Sequence, residues 1–189
     1  MILSAIGFTK TILDQYLKNK FGLDDSNVVI NKIVNSDGSL PGLNQNKVVL
    51  SLINIEKETL KPFNVQRRKL ADGNYARTPM IDRFNLDLLL TSNFDNYEET
   101  LKFLDAGMLF FQGHPSIDSG NYATIPEGIK KLDYELDKIS YHEMHSLWSA
   151  MGAKYTPSVI YKIRLVHINP DVINGFETAV QKIDNTINS

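Results

Sequence analysis

Two histidines that flank a glutamate are the first residues in this sequence whose types and spacing could do chemistry. They form the segment HEMH at residues 142–145, one residue shorter than the HExxH motif of many zinc hydrolases. In that motif the histidines are four residues apart on a helix and point at one metal ion, while the glutamate acts as the base. His142 and His145 are only three apart, and no third ligand is close by in the sequence. A metal-dependent hydrolase that uses these histidines and a carboxylate is therefore an alternative hypothesis.

The same segment has the pattern of a helix start. Ser140 can cap a helix, and Glu143 follows three residues later, as in a capping box. Apolar residues then recur at helical spacing and predict a stripe that faces the core: Met144, Leu147, Trp148 and Met151. This structural interpretation of HEMH is favoured over the metal site.

Other candidate sites are weaker. The glycine-containing stretches 38–42 and 113–120 lack the glycine spacing of a P-loop or a dinucleotide fold and are interpreted as turns. His114 and His167 have no sequence neighbour that would make either one a base. The sequence contains no cysteine, which excludes disulfides, thiolate nucleophiles and cysteine-bound metals. We predict no catalytic residue, no metal and no cofactor.

The composition is that of an ordinary soluble globular protein. The chain has 189 residues, of which 42% are hydrophobic and 22% charged, and its formal net charge is −2. Nothing in this balance drives attraction to nucleic acid or to acidic membranes, so neither is expected as a partner. The first residues resemble neither a signal peptide nor a membrane span, which makes cytoplasmic synthesis the default expectation.

Hydrophobic periodicity predicts an α+β domain. Helices are expected over residues 3–20, from Asp95 or Asn96 to about 112, and after Ser140. Strands are expected at residues 28–34, 47–58, 83–94, 130–137 and 157–168. Interleaved strands and helices favour a single mixed sheet of four to five strands flanked by helices. We expect this domain to cover residues 1–170, with 171–189 as a C-terminal tail or helix.

Residues 59–82 form a long segment without periodicity. Pro62, Gly73 and Pro79 punctuate it, and it contains the basic run Arg67, Arg68 and Lys69. An aperiodic segment of this length is usually functional or disordered. Three basic residues could touch a phosphate backbone, but in a near-neutral protein a solvated loop or a protein contact is favoured. The segment 114–128 is also predicted to be a loop.

Four segments carry a resemblance to a known family. They are the strand FNLDLLL, the helix NYEETLKFL that follows it, the pentapeptide IPEGI, and LWSAMGAKYTPSVIYKIR. Together they resemble the cap, or tail-terminator, proteins of contractile injection systems, the phage-tail-like particles that some bacteria make. The resemblance extends from the N-terminal helix to about residue 168. Leu147, Trp148, Gly152 and Pro157 match the family pattern, whereas HEMH falls where the family has variable polar residues.

The resemblance implies a structural protein rather than an enzyme. Members of this family form a six-fold ring on the end of the tube and sheath that is distal to the baseplate. Tube and sheath proteins and further copies of the chain would be the partners, within a particle that is assembled in the cytoplasm and then released or anchored in the cell. A monomeric adaptor that recruits another component to the particle is a second alternative.

The resemblance also directs attention to two contact arms, residues 59–82 and the C-terminal tail. Aperiodic segments with scattered apolar residues often become ordered on binding. The predicted protein-contact residues are Phe63, Val65, Arg67, Arg68, Lys69, Tyr75 and Arg77. A surface loop without a partner is the alternative for the 59–82 segment.

Overall fold

The structure is a computed structural model that describes residues 1–58, 67–69, 75–77, 82–168 and 176–177, with side chains for 1–58 and 83–164. Its helices are α1 (Ile2–Phe21), α2 (Tyr97–Gly113) and α3 (Tyr141–Met151), and one 3-10 turn spans Gly42–Asn44. Its strands are β1 (Val28–Ile30), β2 (Lys47–Lys57), β3 (Arg67–Lys69), β4 (Tyr75–Arg77), β5 (Asp82–Asn93), β6 (Ser116–Asp118), β7 (Lys131–Asp137), β8 (Ser158–Ile168) and β9 (Phe176–Glu177).

Six strands form the main sheet, in the order β1-β2-β5-β8-β7-β6. The sheet is mixed because β1 runs parallel to β2, whereas the other neighbours are antiparallel. The buried carboxylate of Asp14 holds β1 in place, since it accepts hydrogen bonds from the backbone N–H of Asn27 and Val28 at 2.8 and 3.1 Å. The predicted α+β class with a mixed sheet is confirmed.

Helices α1 and α2 cover one face of the main sheet. Helix α2 begins at Asn96, whose side chain accepts a hydrogen bond from the N–H of Glu98, as the sequence predicts. It packs closely on β5 at Gly107, where an added Cβ would lie 2.9 Å from Cδ2 of Leu90. The core between these layers includes Leu13, Leu17, Leu50, Leu86, Leu88, Leu90, Phe103, Phe110, Leu132 and Ile163. This core holds the central strands β2, β5 and β8 in register.

Helix α3 covers part of the opposite face. Trp148 is 3% exposed and packs with Leu89 of β5 and Ile160 of β8, which confirms its predicted place in the core. The indole N–H of Trp148 points at the sulfur of Met144 at 3.1 Å. The rest of the predicted stripe is only partly buried, because a single short helix covers this face and leaves its flanks in solvent.

Three sequence predictions need correction. The first strand ends at Ile30 rather than at residue 34, since the Asn31 side chain accepts a hydrogen bond from the N–H of Lys32 and the chain bends at Ile33 and Val34. The 114–128 loop contains β6, whose single buried apolar residue, Ile117, is too weak a signal for periodicity, and this is why the main sheet has six strands rather than four to five. The 59–82 segment contains two short strands, β3 and β4.

We predict that Trp148→Ala lowers the free energy of unfolding by about 3–5 kcal/mol, the cost of emptying a large buried aromatic site. Chemical denaturation measures this loss. Tyr141→Ala is the matched control, because Tyr141 lies in the same helix and is 98% exposed, so its loss should change stability by no more than about 0.5 kcal/mol. Equal stability of Trp148→Ala and the control would contradict the assignment of this core.

Candidate protein-contact surfaces

A second, smaller sheet contains the predicted contact segments. Its three strands have the order β3-β4-β9, with Arg67 opposite Arg77, Lys69 opposite Tyr75, and Tyr75 opposite Glu177. Both predicted contact segments therefore contribute to one sheet: β3 and β4 come from the 59–82 segment, and β9 comes from the C-terminal tail. We call this three-stranded sheet the arm.

The arm repeats the order of the three central strands. Along the chain β3 follows β2, β4 precedes β5, and β9 follows β8, so β3-β4-β9 corresponds to β2-β5-β8. Only residues 78–81 separate β4 from β5, and five Cα–Cα steps span at most about 18 Å. The arm therefore lies near the end of the main sheet at which β5 begins, where Asp82 pairs with Ile168 of β8.

The arm is cationic. Of the predicted contact residues, Arg67, Arg68 and Lys69 make up β3, and Tyr75 and Arg77 lie in β4, while positions 63 and 65 fall outside the part of the chain that the structure describes. Arg67 stands opposite Arg77 in the register of β3 and β4, so like charges occupy paired positions of the arm. An arm of this composition suits an anionic partner surface.

A row of polar residues crosses the main sheet on the face that α3 partly covers. Asn54 of β2 is opposite Asp87 of β5, Asp87 is opposite Lys162 of β8, and Lys162 is opposite Glu135 of β7. We call these four residues the polar row. Asp87 and Lys162 lie two residues from Leu89 and Ile160, the contacts of Trp148, so the row and α3 share a face.

The polar row has more carboxylates than cations around it. Lys162 donates to Glu56 at 2.8 Å, and Arg164 donates to Glu135 at 2.5 Å. Asp137 is opposite Ile160 in the next position of the sheet and adds a further carboxylate near Asp87. Glu56 and Glu135 have side chains that are 48% and 58% exposed. This part of the sheet is therefore an accessible acidic surface, and the arm is a basic one.

Asp87 is the most buried of these carboxylates, and only one of its oxygens is hydrogen-bonded. Its Oδ2 accepts a hydrogen bond from Asn54 at 3.0 Å, but its buried Oδ1 has no hydrogen-bond partner and lies 3.7 Å from Nζ of Lys162, too far for a hydrogen bond. Burial raises the pKa of the Asp87 carboxyl, and the hydrogen bond with Glu56 raises the pKa of Lys162. One ammonium group thus serves two carboxylates.

The HEMH segment has the structure of a helix cap. The N–H of Glu143 points at the Ser140 hydroxyl at 3.3 Å, and the Glu143 carboxylate accepts from the N–H of Ser140 at 2.7 Å, which confirms the predicted capping box. These hydrogen bonds hold the pKa of Glu143 below its usual value. His142 and His145 are both exposed. Within the ranges that the structure describes, no group of three or more histidine, aspartate or glutamate side chains could hold a metal ion.

Sequence reasoning located the basic residues but missed the acidic surface. The available signal was the position of Asp87 between Leu86 and Leu88 in an otherwise apolar strand. The row itself depends on the register of four strands, which a single sequence does not show.

Among the described helices, none is both long and apolar enough to cross a membrane.

Comparisons with known proteins agree with this architecture. A sequence model of the Pvc16 N-terminal domain matches residues 9–182. The fold is similar to that of a PVC sheath/tube terminator of an extracellular contractile injection system in the extended state, with a TM-score of 0.61 and 16% identity over 100% of this chain and 64% of that one. It is also similar to the anti-feeding prophage cap, a tube-terminating cap, with a TM-score of 0.55 and 14% identity over 95% of this chain and 60% of that one. The chain thus spans less than two thirds of either structure. No curated protein matches the sequence.

We predict that the HEMH segment serves to cap helix α3 and does not bind a metal ion. Ser140→Ala should lower the free energy of unfolding by about 1 kcal/mol, because the N–H of Glu143 loses its acceptor. His142→Ala and His145→Ala should each have effects within about 0.5 kcal/mol. Thermal melting with and without a chelator completes the test. A chelator-induced drop in the melting temperature of the wild type that is absent from the two histidine variants would restore the metal hypothesis.

We predict that Asp87→Asn stabilises the isolated chain at pH 7. Because the pKa of Asp87 is raised in the folded state, the folded protein binds this proton more tightly than the unfolded chain, and stability falls as the pH rises from the ordinary value of 3.8 through the raised one. The gain should be a fraction of the roughly 1–3 kcal/mol cost of an unsatisfied buried group and should shrink toward pH 4. Urea unfolding at both pH values measures it, with the exposed Asp105→Asn as control. A variant that is less stable than the wild type at pH 7 would contradict this account of Asp87.

Proposed function

Because the chain belongs to the Pvc16 N-terminal domain family, we propose that it caps the tube and sheath of a contractile injection system. The cap docks on the terminal ring distal to the baseplate and ends polymerisation. The observation that carries this proposal is the arm, in which both predicted contact segments meet in one sheet beyond the end of the central strands. The chain acts through surfaces and not as an enzyme.

The physical requirement is that a helical or stacked polymer has no intrinsic end. Rings joined by heterologous contacts expose the same surface at every terminus, so each end accepts another subunit. A cap must match that terminus and present a different surface beyond it. We infer that copies of the chain form a ring with the symmetry of the tube, six-fold as in the family it resembles.

The arm supplies the means of attachment. In the described part of the chain, β3 and β9 each pair only with β4, so the arm has two open edges. An open edge binds an added strand through main-chain hydrogen bonds. Tube and sheath subunits at the terminus are the proposed partners, assembled with the chain inside the producing cell. The open main-chain edges of the arm join the chain to that terminus, and the main sheet with its helices anchors the arm.

Deletion of residues 62–78 tests the arm. The deletion removes β3 and β4 but none of the main sheet, so melting should stay cooperative while attachment to particles is lost. Particles assembled in cells that produce only the deleted chain should carry no cap at their ends, as seen by electron microscopy and by cosedimentation of the chain with sheath and tube.

The controls separate attachment from folding. Arg67→Ala with Arg68→Ala should weaken cosedimentation, whereas Lys130→Ala with Lys138→Ala, which removes two exposed cations elsewhere, should leave it unchanged. A folded deletion variant that caps particle ends as the wild type does would overturn the role of the arm.

A further inference from the structure

We propose that the acidic surface around the polar row binds the basic arm of a second copy of this chain, forming the contact that joins neighbouring copies in the ring. The acidic surface comprises Asn54, Glu56, Asp87, Glu135, Asp137 and Lys162. This proposal rests on the ring-forming function proposed above and names the surface that forms the ring. The contact between copies uses the charges of the arm and leaves its open main-chain edges for the terminus.

Charge complementarity indicates that the basic arm of a second copy is the partner of the acidic surface. Strands β3 and β4 contain four cations, Arg67, Arg68, Lys69 and Arg77, and no acid. The acidic surface contains four carboxylates, and its paired cations are Lys162 and Arg164. A guanidinium group binds a carboxylate through two parallel hydrogen bonds, and it is the preferred cation for contacts at interfaces. A partner arm would bring the cations that this surface lacks.

Asp87 shows independently that the surface is incomplete in a single chain. Its side chain is 9% exposed, and the Oδ1 atom that faces Lys162 accepts no hydrogen bond. Lys162 is held 2.8 Å from Glu56 and 3.7 Å from Asp87. A partner arginine bound to the exposed Glu56 would take over that carboxylate and free Lys162 to move toward Asp87. Glu56 and Asp87 would then each have a cation within hydrogen-bond distance.

The geometry favours a second copy over the chain's own arm. The arm continues the order of β2-β5-β8 and leaves the sheet at its end, whereas side chains of the polar row stand roughly perpendicular to the sheet. Each copy thus offers an arm at one place and a receiving face at another. A contact of this kind is heterologous and closes into a ring when the rotation between neighbours allows it.

The test uses two variants that each break one side of the contact. The arm variant is Arg67→Ala with Arg68→Ala, and the face variant is Glu56→Gln with Glu135→Gln, so that the two altered surfaces carry no charges that could pair with each other. Glu56 and Glu135 are exposed, and β3 is not part of the main sheet, so thermal melting of each variant should match that of the controls Lys130→Ala and Glu127→Gln, which remove exposed charges elsewhere. Sedimentation velocity of the full chain then reports self-association.

The wild type and both controls should associate beyond the dimer, and raising the salt from about 50 mM to about 500 mM should weaken this association. Each broken variant alone should associate at least about tenfold more weakly, since every 1.4 kcal/mol of lost contact is tenfold in Kd. An equimolar mixture of the arm variant and the face variant should form dimers and nothing larger, because one intact arm meets one intact face and the chain of contacts then stops.

Three results would overturn the proposal. They are a wild type that stays monomeric at both salt concentrations, variants that associate as the wild type does, and a mixture that forms no dimer. The capping function is tested separately on particles. If the face variant caps particles normally, the proposed role of the acidic surface is refuted and the capping function is not. If the wild type associates in a salt-sensitive way but caps no particle, the capping function is refuted and the role of the acidic surface is not.

Discussion

The structure depends on three central strands that extend farther than the layers that bury them. Strand β5 has 12 residues and is about 40 Å long, while the 17-residue α2 that packs on it covers about 25 Å. Strand β2 shows the consequence: it is buried from Val48 to Ser51 and largely exposed from Leu52 to Lys57. The helices anchor one end of these strands through apolar burial. At the other end the strands carry polar residues, and the chain goes on to form the arm.

This division separates the apolar part of the molecule, which fixes the strand register, from the part that we propose meets partners. The apolar core fixes the register of β2, β5 and β8, and that register places Asn54, Asp87 and Lys162 in one row. A shift of one residue in any strand would turn its polar residue to the opposite face. The acidic surface and the basic arm therefore depend on the same core packing, although neither is part of it. The proposed contact with repeating subunits would need this rigidity, because each copy in a ring would have to present the same surfaces in the same positions.

Much of the fold could be predicted from the sequence, for identifiable reasons. Long strands with alternating or continuous apolar residues, such as β5 and β8, and helices with marked ends, such as Asn96 of α2 and Ser140 of α3, carry strong local signals. Short strands do not: β6 has only Ile117 in the core. The apolar residues whose spacing predicts α2 only partly match its buried face. Of Tyr97, Leu101, Leu104, Met108 and Phe111, the first two are 63% and 45% exposed, while Phe111 is buried with Phe103, Gly107 and Phe110. Pairing across distant segments, as between β4 and β9 or along the polar row, was outside the reach of local patterns.

The central claim is that this chain ends a protein polymer by binding one of its termini. Electron microscopy of isolated particles tests it most directly, with a gold label on a single cysteine introduced at the exposed Tyr141, since the sequence has no other cysteine. The account predicts label at one end of each particle, opposite the baseplate, and none along the sheath. Label distributed along the particle wall, or particles that carry none while the chain remains free in solution, would contradict it.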